Sequence, residues 1–210
     1  MAEGTGRTEA FSDGVFAIAI TLLILEIRVP HAGVVGGLWA ALGQLWPSYL
    51  AFVLSFFVIL VMWVNHHELM RLVRTVGYPF LFANGFVLLT VTFVPFPTAI
   101  LAEHLNTREA GAAVAFYCGS FIGNALAWGL LFWTILRQRL FRADVDADTI
   151  QRIRRAYIAG PLVYLVATLV ALVQPAVGLA INASLWVLWI RLGYRTAQEV
   201  AERRGARGAA

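Results

Sequence analysis

Four stretches of this chain carry no charged side chain: residues 46–65, 75–102, 110–136 and 156–190. A hydrocarbon core of ~30 Å takes about 20 helical residues to cross, and each stretch is long enough. Inside lipid every backbone N–H and C=O must be bonded within the protein, so runs of this length can only be helices. The last block holds Gln174-Pro175 at its middle. A proline beside a polar residue there reads as a tight turn between two helices. A shorter apolar run, residues 14–25, lies between Asp13 and Glu26 and crosses only if both carboxylates sit at interfaces or inside protein. Six spans follow, at approximately 8–28, 46–68, 77–102, 110–137, 153–173 and 176–196. The expected fold is an all-α polytopic membrane protein, a single six-helix domain over residues 1–210.

Composition closes off the other classes. Hydrophobic residues make up 60% of the chain and charged ones 13%, with a mean hydropathy of +0.75. A soluble domain carries roughly a quarter charged residues, so this surface cannot face water all round. All 16 basic residues are Arg, for a formal charge of +4 and a pI near 9.7. They are spread over short segments between apolar runs, which argues against a nucleic-acid groove and for membrane orientation. With six spans and the N-terminus inside, the cytoplasmic segments hold Arg7, Arg71, Arg74, six Arg between 137 and 155, and five from Arg191 onward. Only Arg28 and Arg108 remain outside, so 14 of 16 obey the positive-inside rule and both termini are expected in the cytoplasm. A five-span arrangement would place the Arg-rich tail outside. Cys118 is the single cysteine, so no intrachain disulfide is possible.

The first helix is the most informative segment: Arg7-x-x-x-Phe11-Ser12-Asp13, then Phe16-Ala-Ile18-Ala-Ile-Thr21-Leu22-Leu-Ile-Leu25-Glu26. A carboxylate at the edge of a span costs free energy unless it is paired or hydrogen-bonded. Arg7 and Asp13 are six residues apart, too far around the helix for a direct i, i+4 pair, so each is expected to reach a neighbouring helix. At ~100° per residue, Ile18, Leu22 and Leu25 fall on one stripe bordered by Thr21, with Asp13 on the opposite face. Such a stripe either packs on neighbouring helices or lines a pore whose narrow point is an aliphatic ring; periodicity does not separate the two.

The string RxxxFSD followed by FAIAITLLILEI resembles the signature of the transmembrane protein 175 family, the lysosomal potassium channels of animals and their prokaryotic relatives. Weaker similarity continues through Trp63-Val-Asn65-His-His67 and Phe93-Val-Pro-Phe-Pro97. Prokaryotic members have six helices per chain and form tetramers, whereas animal members carry two repeats and form dimers; a single copy of the motif matches the prokaryotic form. The resemblance implies a potassium-permeable channel, a homotetramer in the lipid bilayer of a prokaryotic cell membrane, with no cofactor beyond the permeant K+. It implies that the first helix lines the pore, with Ile18 as the tightest ring and Leu22 and Leu25 continuing the wall. Thr21 would contribute hydroxyls to selectivity. Arg7, Ser12 and Asp13, together with a second-helix histidine, would form a buried network; His67, four residues after Trp63, is the better candidate and His66 the next. Glu26 either concentrates cations at the external mouth or is simply solvated at a helix end.

Other motifs are weaker. Thr75-Val-Gly-Tyr-Pro79 differs by one residue from the TVGYG filter, but it follows Arg71 and Arg74, lacks a pore helix and ends in proline. It reads as a helix start. His66-His67-Glu68 has adjacent ligands pointing about 100° apart, which does not suit a metal site. Asp144, Asp146 and Asp148 lie in a segment, Leu140 to Thr149, that reads as a solvated loop rather than a calcium loop. Trp39, Trp46, Tyr49, Trp186 and Trp189 read as interface anchors, and Asn84, Asn124 and Asn182 as helix-packing hydrogen-bonders. No cleavage site follows the first run, so it is not read as a signal peptide. A proton-coupled secondary transporter is the alternative function, although no internal repeat supports it. A membrane enzyme built on His66, His67 and Glu68 lacks a catalytic set.

Overall fold

The computed structural model describes residues 4–31 and 36–208, with side chains through Arg191. The described elements are α1 (Gly6–Leu22) with a tighter 3-10 turn at Leu23–Glu26, α2 (Gly37–Gln44), α3 (Trp46–Leu72), α4 (Tyr78–Phe93), α5 (Pro95–His104), α6 (Ala110–Arg137), α7 (Ala147–Ala171) and α8 (Pro175–Gly208). Five segments are long and apolar enough to cross a membrane: Gly6–Glu26, Trp46–Leu72, Tyr78–His104, Ala110–Arg137 and Ala147–Ala171. Pro175–Arg191 is a shorter apolar helix. The turn read at Gln174-Pro175 separates α7 from α8, with Pro175 in the first position of the new helix, where its missing N–H costs nothing.

Three local features depart from the sequence reading. The third span is not one helix. Pro95 and Pro97 cannot donate to the carbonyls four residues back, so the helix breaks at Val94. The chain recovers as the Thr98 N–H and hydroxyl both bond the Val94 carbonyl, at 3.2 and 2.8 Å. Second, α7 starts at Ala147, ahead of the expected 153, because Asp146 caps it: its carboxylate accepts from the Thr149 backbone N–H at 2.7 Å. Residues 147–149 are therefore helix rather than loop, and Thr149 is buried. Third, an additional helix, α2, eight residues long and too short to span, precedes α3.

One end of the bundle, called the lower end here, gathers the start of α1, the end of α3 and the α4 N-terminus. There Arg74 N–H bonds the Leu140 carbonyl and Arg142 N–H bonds that of Leu72, each at 2.9 Å, tying the α3–α4 link to the α6–α7 link. Gly77 precedes α4 in extended conformation, so the TVGYP string is a helix start. The core runs between α3, α4 and α6, with Ile59, Phe80, Val87, Tyr117, Phe121 and Leu131 buried. The α6–α7 pair makes the most extensive helix contact. Trp39 and Trp46 are exposed, whereas Trp186 and Trp189 are half-buried. Trp186 stacks on Phe57 and Trp189 packs on Tyr157, so α8 uses its indoles against its neighbours rather than as lone interface anchors.

Candidate ion pathway along the first helix

α1 divides lengthwise into two faces. Ser12, Phe16, Ala19 and Leu23, spaced i, i+4, i+7 and i+11, are buried against the bundle. That spacing is one stripe of an α-helix. Opposite lie Ile18, Leu22 and Leu25, which are 59%, 43% and 70% exposed, with Phe11 at 68%. Thr21 is exposed on the same side, its hydroxyl donating back to the Ile18 carbonyl at 2.9 Å. The aliphatic stripe therefore does not pack on this chain's own helices.

Polar contacts hold the opposite face and the lower end. Asn84 of α4 donates through Nδ2 to Ser12 Oγ at 2.9 Å, and Ser12 Oγ donates to the Thr8 carbonyl at 2.8 Å. Asn84 Oδ1 lies 2.8 Å from His66 Nε2. Because the Asn84 nitrogen is spent on Ser12, its oxygen must accept, so His66 Nε2 carries the hydrogen. Each member has one direction available, and the chain His66 to Asn84 to Ser12 to Thr8 is fully ordered. The His66 ring is buried between Phe16 and Trp128. A second pair of contacts lies at the surface: Trp63 Nε1 donates to Asp13 Oδ1 at 2.9 Å, and His67 Nδ1 lies 3.1 Å from Glu9 Oε1.

The four residues read as one buried network are thus divided. Ser12 alone is in the buried chain, and its histidine is His66. Asp13 is bonded to Trp63, His67 meets Glu9 beside Trp63, and Arg7 is exposed near Leu81 and Gly85 of α4. Sequence reasoning gave Asn84 only a packing role and Glu9 none; the signal for Asn84 was a carboxamide in an otherwise apolar run. At the upper end Glu26 is partly exposed and lines a cleft of about 650 Å³ with Arg28 and Glu103, which form an exposed ion pair at 3.8 Å. Among the described residues no three His, Cys, Asp or Glu side chains gather in a metal-binding group. The arrangement offers no reacting constellation. It offers an apolar, hydroxyl-bordered face held in register by directional bonds on its back.

Residues 7–95 match the family profile described as the endosomal/lysosomal potassium channel TMEM175. The chain is 50% identical over 166 residues to a potassium channel of Chamaesiphon minutus, covering 78% of this chain and 82% of the relative. It is 47% identical over 183 residues to a potassium channel of Streptomyces collinus, covering 86% of this chain and 89% of the relative. The fold is similar to the crystal structure of a lysosomal potassium-selective channel TMEM175 homolog from Chamaesiphon minutus. That likeness has a TM-score of 0.79 at 44% identity and covers 91% of this chain and 97% of the other.

Proposed function

This chain belongs to the TMEM175 family, and from that premise we propose that it is a potassium-permeable cation channel, a homotetramer whose pore is lined by α1. The observation that carries the reading is the exposed aliphatic stripe of α1 set opposite a polar anchoring face. A helix that met only lipid would gain nothing from directional bonds fixing its rotation; a pore-lining helix depends on that rotation. Four copies meeting around an axis turn Ile18 into a ring, with Leu22 and Leu25 as further apolar layers toward the upper end and Thr21 hydroxyls between them.

A cation crossing such a ring must shed part of its hydration with no carbonyl cage to replace the lost water. Flux then depends on ring diameter and on whether water fills the constriction, because narrow apolar passages gate by dewetting. Selectivity arises from the lower dehydration cost of potassium relative to sodium, assisted by the Thr21 oxygens. Glu26 raises the local cation concentration at the external mouth. With Arg concentrated at the lower end, that end and both termini face the cytoplasm of a prokaryotic cell, and the protein is multi-pass in its plasma membrane.

Purified protein in liposomes should pass potassium passively, with a reversal potential set by the potassium gradient. Ile18→Asn should wet the constriction and shift that potential toward the sodium equilibrium value. Strict coupling of potassium movement to a second solute sinks the channel reading. Unchanged conductance and selectivity in folded Ile18→Asn removes Ile18 from the ring.

A further inference from the structure

A second feature lies on the far side of α3 from α1. Between α3, α6, α7 and α8 is a partly open cavity of about 40 Å³. Its walls are largely aromatic, with Trp128, Tyr157, Trp186 and Trp189 among them, and no charged side chain lines it. Two carboxamides, Asn65 and Asn124, also face it. Their nitrogens are committed: Asn65 Nδ2 donates to the Val61 carbonyl at 2.8 Å and Asn124 Nδ2 to Thr90 Oγ1 at 2.7 Å. The indole N–H of Trp186 is buried and has no acceptor among the described residues. A buried donor left unpaired costs about 1–3 kcal/mol, so its place in the wall of a cavity points to a ligand that accepts a hydrogen bond.

We propose that this cavity is a binding site for a small neutral amphiphile bearing a hydroxyl group, an alkanol or phenol that reaches it from the bilayer. The hydroxyl oxygen accepts from Trp186 N–H, and its hydrogen bonds a carboxamide oxygen of Asn65 or Asn124. The alkyl or aryl body fills the aromatic cleft. An ionised ligand is disfavoured because nothing in the wall compensates a charge at membrane depth. A purely apolar ligand leaves the indole unpaired. Water fits the cavity, since a site of that size holds about three molecules at ~10–15 Å³ each, but it leaves the apolar walls wet. The site is independent of the channel reading, and so is its test.

The experiment is photolabelling of the full chain in nanodiscs with a diazirine-bearing octanol, followed by peptide mass spectrometry and competition with unlabelled 1-octanol. Label is expected on the α8 peptide containing Trp186 and Trp189 or the α7 peptide containing Tyr157 and Tyr164, and excess octanol should remove it. Trp186→Phe keeps the ring against Phe57 and deletes only the donor; it should weaken competition by about tenfold, the equivalent of one hydrogen bond near 1.4 kcal/mol. Ala125→Val places two more methyl groups at the cavity wall and should abolish the competed label. Label spread over the exposed residues Leu162, Leu165 and Leu169 without competition overturns the proposal. So does competed label in the cavity that Trp186→Phe leaves unchanged, which would make the site an apolar or water-filled space with no role for the indole.

Discussion

The two halves of the first helix are held by different physics. Below residue 14, α1 is fixed by bonds that have direction: Ser12 to Asn84, Asp13 to Trp63, Glu9 to His67. Above it, Phe16, Ala19 and Leu23 are buried by contact alone, and the helix tightens into the 3-10 turn Leu23–Glu26. Directional bonds set rotation and register but tolerate little displacement. Apolar contacts resist separation but allow small sliding. The proposed constriction begins where the first regime gives way to the second, so its rotation is set from below while its width is free to respond above.

Four measurements break or sharpen that contrast. Leu23→Ala should have the largest effect, removing a fully buried side chain from the upper half at about 3 kcal/mol. It should lower the detergent melting temperature markedly while leaving potassium preference intact. Asn84→Leu should follow at roughly 2 kcal/mol, because it strands the His66 Nε2 hydrogen in a buried site. Unlike Leu23→Ala, it should also disturb ion preference, since it frees the rotation of α1; equal functional effects from the two would erase the distinction between the halves. Trp63→Phe should cost about 1 kcal/mol, and a double-mutant cycle with Asp13→Asn should show a coupling of at least ~0.5 kcal/mol. Additive effects would mean that the indole and carboxylate do not support one another. Glu26→Gln should do least, reducing single-channel conductance by less than about twofold at low salt and not at all at high salt, where the field at the mouth is screened. A salt-independent loss would make Glu26 part of the narrow path instead of its approach.

How far the sequence reached follows the same division between non-directional and directional forces. Hydropathy records how much of a segment is hidden from water, and the long spans are legible in it, as the turn is in a proline beside a polar residue at Gln174-Pro175. Periodicity marks the stripe of α1 but not whether that stripe packs on a neighbour or stays exposed, which only the arrangement of the bundle decides. Partner choice is not recorded there. His66 and His67 are neighbours pointing about 100° apart, and only the rotation of α3 decides which one turns inward. Spacing from Trp63 favoured His67, and the two rings do lie 6.2 Å apart, yet the buried position belongs to His66. Asn84 was visible as an oddity in an apolar run, but its bond to Ser12 spans 72 residues. The break at Val94 was legible in principle from Pro95 and Pro97; a count of uncharged residues simply cannot register it.

One consequence of the two-faced first helix concerns how such a chain can vary. Ile18, Leu22 and the anchor at Ser12 lie on a single uninterrupted helix, which runs directly into the 3-10 turn that carries Leu25, so Ser12, Ile18 and Leu22 share one angular reference. Exchanging one aliphatic residue for another on the stripe leaves that reference untouched. Inserting or deleting a single residue between Asp13 and Ile18 turns everything beyond it by about 100° relative to the anchor, carrying the stripe off its present face even if every side chain is kept. This segment can therefore drift in spelling over time but not in length.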